Sequence, residues 1–329
     1  MRAAPGHWAA IDEVSFVAGM RMLFWIGRVC GRWPFRVVLY PVLAWYLLSK
    51  PRARRASGAY LRRVARAGDA SPAVASGAMG VPRHFAAFAE SILDKMLLWG
   101  GLYDLDSVDI AGADSVDRAV AVGQGGLLIC AHLGNLELCR VLSRRRRGLK
   151  MTVLVHTRHA RAFNRMLARL NPDSELDLMQ VTEMSAATAM LLAERVGRGE
   201  FVVIAGDRIP VAANPRVALA DFLGAPAAFP IGPYVLANAL QCPVWLLFSV
   251  SQKNRSEVHF EVFRSVLRLP RQGRDAALAA LVADYAARLE HHCLRAPLQW
   301  FNFYDFWQTP IRQTDLQPNF PVDPGNAPR

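Results

Sequence analysis

Gly126-Leu-Leu-Ile-Cys-Ala-His-Leu-Gly-Asn-Leu-Glu137 is the stretch on which the reading of the chain turns. A short apolar run, rich in Leu and Ile, has the length and composition of a buried strand and ends at His132. The Gly-Asn pair that follows predicts the start of a helix, with Glu137 in its first turn. A histidine at a strand end is well placed for proton transfer. Across the spacing His132-x4-Glu137 a carboxylate can reach back to the imidazole, select its tautomer and stabilise the imidazolium. The plainer alternative stays open here: a satisfied buried histidine, with Glu137 complementing the dipole of its helix.

Outward from this run, short apolar segments alternate with helical ones. Gly125 to Ala131, Met151 to Val155, Phe201 to Ala205 and Pro243 to Val250 read as strands, and 135–143, 159–170, 185–197, 230–241 and 275–293 read as helices. That alternation predicts an α/β fold: a single domain with a mixed, largely parallel sheet flanked by helices. Three units are expected: a basic, hydrophobic, membrane-associating helical segment over 1–56, an α/β domain over 57–308 and a flexible tail over 309–329. Residues 57–100 are expected to be helical, with Ser57 as a cap.

The charge is unevenly placed. Twelve of the 39 Lys and Arg fall before residue 67, against Asp12 and Glu13 alone, so +10 of the net +12 lies in the first fifth of the chain. That same fifth holds the greasiest segments, 14–29 and Val37 to Leu48, the second interrupted by Pro41 and followed by the basic cluster Lys50 to Arg55. Tyr40, Trp45 and Tyr46 suit a membrane interface. Basic charge interleaved with apolar surface fits anionic lipid better than nucleic acid, for which no motif is present. No run reaches the roughly 18 apolar residues of a transmembrane helix, so shallow insertion, a bent re-entrant pair and two core helices stay open. The five cysteines lack CxxC spacing and read as small buried hydrophobes in a reducing compartment, with no metal site implied. Neither a Gly-rich phosphate loop nor a GxSxG elbow occurs, which argues against a nucleotide-driven enzyme and a serine hydrolase.

Further clusters lie where strands end or helices begin: His156 to Asn164, Gly206-Asp207-Arg208-Ile-Pro210, Asp221 to Pro233 and the aromatic run Gln299 to Trp307. Ligands of open α/β sheets gather at the carboxyl ends of strands, so these clusters are expected to converge on His132. Taken in order, the AHLGNLE setting of His132-x4-Glu137, the Gly206-Asp207-Arg208 turn, the Phe222-Leu-Gly-Ala-Pro-Ala segment and the Pro297-Leu-Gln-Trp-Phe block resemble the lysophospholipid acyltransferase superfamily. The likeness is to its branch of bacterial lipid A late acyltransferases.

The resemblance implies a membrane-associated O-acyltransferase at the cytoplasmic face of a bacterial inner membrane. It would move a fatty acyl group from acyl carrier protein or acyl-CoA to a hydroxyl of a lipid or glycolipid, with no bound cofactor and no metal. Carried over, His132 is the general base and Glu137 its orienter. Arg208 holds a phosphate or the developing negative charge, and Asp207 orients Arg208 unless the two form a surface ion pair. A backbone N–H of the Leu133-Gly134 turn is the expected oxyanion donor. Arg158 and Asn164 are expected at the acceptor headgroup, and Phe222 and Gly224 at the substrate, where the segment to Phe229 lines an acyl channel or packs the core. The turn Gly-Asp-Arg-Ile-Pro departs from the Gln-containing version of the better-known lipid A enzymes. It is more like relatives acylating other bacterial lipids, including those of aryl-polyene pathways, so the acceptor stays open. A non-catalytic lipid-binding protein on the same fold is the alternative from another class.

Overall fold

The protein is described from a computed structural model over residues 32–68, 79–99, 101–138, 149–155, 176–180, 185–210, 215–252 and 255–307. Three helices come first: α1 (Arg32–Ser49), α2 (Pro51–Ala67) and α3 (Gly80–Trp99). Then follow β1 (Val108–Ala111), α4 (Ala113–Ala121), β2 (Gly126–Cys130), β3 (Met151–Val155), β4 (Leu176–Gln180), α5 (Ala186–Gly197) and β5 (Phe201–Ala205). The hairpin β6 (Val217–Phe222) and β7 (Ala225–Pro230), α6 (Gly232–Leu240), β8 (Val244–Gln252), β9 (Arg255–Arg264) and α7 (Arg274–Arg295) complete the described order.

Seven of these strands form one sheet in the order β1-β9-β8-β2-β5-β3-β4. β8, β2, β5, β3 and β4 run parallel; β9 pairs antiparallel with β8, and β1 runs parallel with β9. The expected α/β class with a mixed, largely parallel sheet is the observed one. Both faces of the central strands are covered, which is why β2 reads as an unbroken apolar run rather than an alternating one. Leu127 and Ile129 pack with Val202, Ile204, Leu246 and Phe248 under α6, α7 and part of α2. Leu128 and Cys130 face the opposite layer with Phe201, Val203, Trp245 and Leu247, under α4 and the end of α3. Cys130, Cys242 and Cys293 are buried, as expected of small hydrophobes.

The N-terminal helices divide into an exposed one and two that pack on the sheet domain. α1 continues through Pro41 and leaves Trp33, Trp45 and Leu48 more than 70% exposed (75%, 72% and 74%), with Leu39 buried. The reading of Val37 to Leu48 as a core helix is therefore overturned. No helix among the described residues is long and apolar enough to cross a membrane. The segment 14–29 and the tail from 309 lie outside the described residues. α2 begins at Pro51, so the boundary expected at 56/57 falls within this helix, and Ser57 is an interior residue rather than a cap.

Ser57 and His84 tie α2 and α3 to the C-terminal block. His84 is fully buried; its Nε2 lies 3.1 Å from the Trp300 carbonyl and its Nδ1 2.9 Å from Ser57 Oγ. A carbonyl can only accept, so Nε2 carries the proton and Nδ1 accepts from the Ser57 hydroxyl. Burial disfavours the imidazolium and lowers the pKa to about 4, against 6.5 for an exposed histidine, with the Trp300 carbonyl opposing. The folded state therefore resists a proton that the unfolded chain takes up readily. Stability should decline as pH falls below about 6.5 and stop declining near 4, a loss on the order of 3 kcal/mol. Urea denaturation between pH 7.5 and 4 should show this slope, and His84→Gln should flatten it.

Candidate active site

Strand register brings the site together. β2 and β5 are adjacent and parallel with Cys130 opposite Ala205, so the residues two positions further on, His132 and Asp207, emerge side by side at the carboxyl edge. Between them the chain is tightly held. The Gly206 amide and the Tyr285 hydroxyl both donate to the Cys130 carbonyl, at 2.8 and 2.9 Å. A Cβ at Gly206 would stand 2.7 Å from Ile129 Cγ2 and 2.9 Å from the Tyr285 ring, so the turn requires glycine. On the other strand the chain turns at Gly134, with φ of +62° and space for a Cβ closed by the Ser249 carbonyl at 2.2 Å.

The segment after α7 closes the edge. Leu133 bridges Trp300 in antiparallel fashion, the Phe301 amide donates to the His132 carbonyl (2.9 Å), and the Gly134 amide donates to the Gln299 carbonyl (2.8 Å). This lays Trp300 and Asn302 against Asp207, whose carboxylate is fully buried. Its Oδ2 accepts from the His132 amide (2.9 Å), Trp300 Nε1 (3.0 Å) and Asn302 Nδ2 (3.2 Å). Its Oδ1 lies 2.8 Å from His132 Nδ1. Four donors on one carboxylate compensate for removing the charge from water.

Electrostatics sets the protonation states. Burial by itself raises the Asp207 pKa, but the His132 charge and hydrogen bond, Arg208 and the His132 amide pull it down to about 2. Asp207 is thus an ionised, acceptor-only group, and the shared proton sits on His132 Nδ1. Desolvation foremost, with the Arg208 charge and more weakly that of Lys95, pushes the imidazole pKa down, and Asp207 works the other way. A neutral imidazole with Nδ1 protonated turns a lone pair outward at Nε2, and the ring is 30% exposed. That is the state a general base needs.

Residues 104–309 match the family described as bacterial lipid A biosynthesis acyltransferase. The chain belongs to that family. Its activity class is therefore acyl transfer acting on a lipid. No match was found among curated proteins.

Within this acyltransferase family member, the orienting partner of His132 differs from the one its sequence spacing indicated. Glu137 lies in the 3-10 turn Leu136–Leu138, its amide held by Asn135 Oδ1, and residues 139–143 of the expected helix lie outside the described residues. Nδ1 of His132 is engaged by Asp207, 75 residues away, and Glu137 acts instead on the Lys95 ammonium of α3. Asp207 acts on Arg208 through its charge, which favours the guanidinium form. Arg208 is fixed by other acceptors, with Nε on Asn302 Oδ1 and Nη2 on the Phe301 carbonyl, both at 2.8 Å, which ties it to the same closing block. The surface-pair alternative fails, because Asp207 has no exposed surface. The Gly134 amide is occupied by Gln299 and is excluded as an oxyanion donor.

Phe222 is fully buried, edge-on to Trp300, Phe229 and Phe306, with its ring stacked on Trp307. It forms the wall behind Trp300, which resolves that residue towards core packing. Gly224 is the exposed left-handed residue of the β6–β7 turn. Arg158 and Asn164 lie outside the described residues. Sequence reasoning quoted Trp300 and its neighbours without seeing their duty, and passed over Asn302 and Lys95. An indole and an amide aimed at one carboxylate leave no periodic signal.

Asp207→Asn tests the donor arrangement. The amide would turn one NH2 towards a ring of donors, leaving hydrogen bonds unmade in a dry site. Urea denaturation at pH 7 should show a loss of about 1–3 kcal/mol.

Proposed function

We propose that this protein transfers a fatty acyl group from an acyl carrier protein or coenzyme A thioester to a hydroxyl of a membrane lipid or glycolipid. The observation that carries the reading is the neutral, partly exposed His132 imidazole anchored through Nδ1 to an ionised Asp207. Nε2 takes the proton of the acceptor hydroxyl as its oxygen attacks the thioester carbonyl. A C–O bond forms and the carbonyl electron pair moves onto oxygen. When the oxyanion collapses, the C–S bond breaks and the imidazolium returns its proton to the thiolate. A thioester is activated enough that no covalent enzyme intermediate is needed, and Asp207 stabilises the imidazolium throughout. In this reading Asp207 takes the orienting role that the HxxxxE spacing assigned to Glu137.

The cytoplasmic face of an inner membrane is where donor and acceptor meet. α1 supports that placement by turning Trp33, Tyr40, Trp45 and Leu48 outwards, and α2 follows it with exposed Arg52, Arg54 and Arg55. Apolar side chains at the headgroup level beside arginines suit an anionic bilayer. The same basic surface would draw an acidic carrier protein.

Membranes containing the protein should transfer labelled acyl chains from acyl carrier protein, and His132→Ala should lower that rate by roughly 10²–10⁴-fold with the fold intact by circular dichroism. Asp207→Asn should lose activity over a similar range. The acid limb of log kcat/KM should fall below pH 6.5, because burial and nearby cations lower the imidazole pKa. Full activity in His132→Ala would sink the mechanism. Lipid binding without turnover in the wild type would point to a non-catalytic protein.

A further inference from the structure

α3 carries one face that runs from the closing block to the strand end bearing His132. His84, Phe88, Ser91 and Lys95 recur every three or four residues and share that face. The first two contacts on it are known: His84 meets the Trp300 carbonyl, and the Phe88 ring stands edge-on to Phe301 at 5.3 Å. Beyond Lys95, Leu98 joins the cluster that contains Leu138 and Cys130, and α3 packs directly on the turn Leu136–Leu138. Along α3, Lys95 thus lies between Phe88, which meets Phe301, and Leu98, which joins the cluster at the strand end; the Phe301 amide in turn binds the His132 carbonyl. The Lys95 side chain is half-buried and makes no hydrogen bond or ion pair among the described residues. The helix itself lies outside residues 104–309 matched by the family.

Acyl transfer by a single base leaves a negative charge on the carbonyl oxygen, which the site must meet. The Gly134 amide is taken by Gln299, and Arg208 directs Nε and Nη2 at Asn302 and Phe301. We infer that the Lys95 ammonium is the cation that stabilises the tetrahedral oxyanion formed beside His132, and that Glu137 serves to keep this ammonium protonated. The inference rests on the acyl-transfer reading and adds a catalytic residue to it. Lys95 needs its proton, and desolvation works against that, with Arg208 opposing it further and Glu137 favouring it. Among the described residues of the neighbouring helices, α1 directs Arg36 at Glu90 of α3, and α2 lays Arg63 over the Trp307 ring. Asp94 sits next to Lys95 on α3 itself, and the Lys95 charge is one of those that push the His132 pKa down.

Steady-state transfer of an acyl chain from acyl carrier protein to extracted membrane lipid separates the roles. Lys95→Met should lower kcat by roughly 10²–10³-fold with KM for the donor changed less than about threefold, the signature of an interaction made only in the transition state. Lys95→Arg should restore at least tenfold of that loss. In the wild type kcat should fall on the alkaline side as Lys95 loses its proton, and Glu137→Gln should move this limb to lower pH while leaving the acid limb in place. A Lys95→Met enzyme with unchanged kcat, or one with a raised KM and normal kcat, overturns the inference, as does an alkaline limb indifferent to Glu137→Gln. Wild-type protein that transfers no acyl group from either thioester overturns the acyl-transfer reading itself, so the two failures are distinct.

Discussion

The buried carboxylate of Asp207 is the constraint on which the rest of the site depends. An unpaired anion without exposed surface would be prohibitively costly, so every neighbour must present a donor. Four do: the backbone and ring of His132, the indole of Trp300 and the amide of Asn302. Satisfying the charge thus joins the end of β2, the end of β5 and the segment after α7 in one geometry. The group that orders the site is also the one that sets the His132 tautomer.

That geometry reaches the N-terminal helices through Trp300. Its indole faces Asp207 while its carbonyl receives the proton of His84, itself held by Ser57. Two helices that lie before the family-matched segment are therefore anchored to the atom set that holds the His132 imidazole. A helix so anchored can place a side chain in the site, and Lys95 is the one that α3 carries there. α1, by contrast, keeps Trp33, Tyr40 and Trp45 outward.

Much of the framework was legible in the chain. Continuous apolar runs without alternation marked β2, β3, β5 and β8 as strands covered on both faces, and the helices α5, α6 and α7 followed from periodicity with ends shifted by a residue or two. The strands β1, β4, β6, β7 and β9 went unread. β9 alternates Glu, His and Arg with apolar residues on a half-covered strand near the sheet edge, and the β6–β7 hairpin is rich in alanine and proline, which carry little strand signal. His132, Asp207 and Arg208 were all singled out, because polar residues immediately after apolar runs stand out.

What the sequence determined by itself is the class of fold and the identity of the residues at strand ends. Which carboxylate serves His132 was decided by tertiary structure. Local spacing favoured Glu137, five residues on, but the chain turns left-handed at Gly134 and enters a 3-10 turn, taking that carboxylate towards Lys95. The register of two parallel strands, Cys130 against Ala205, delivers Asp207 instead. Register between strands 75 residues apart is set by the packing of two faces of a sheet, and no window along the chain contains it.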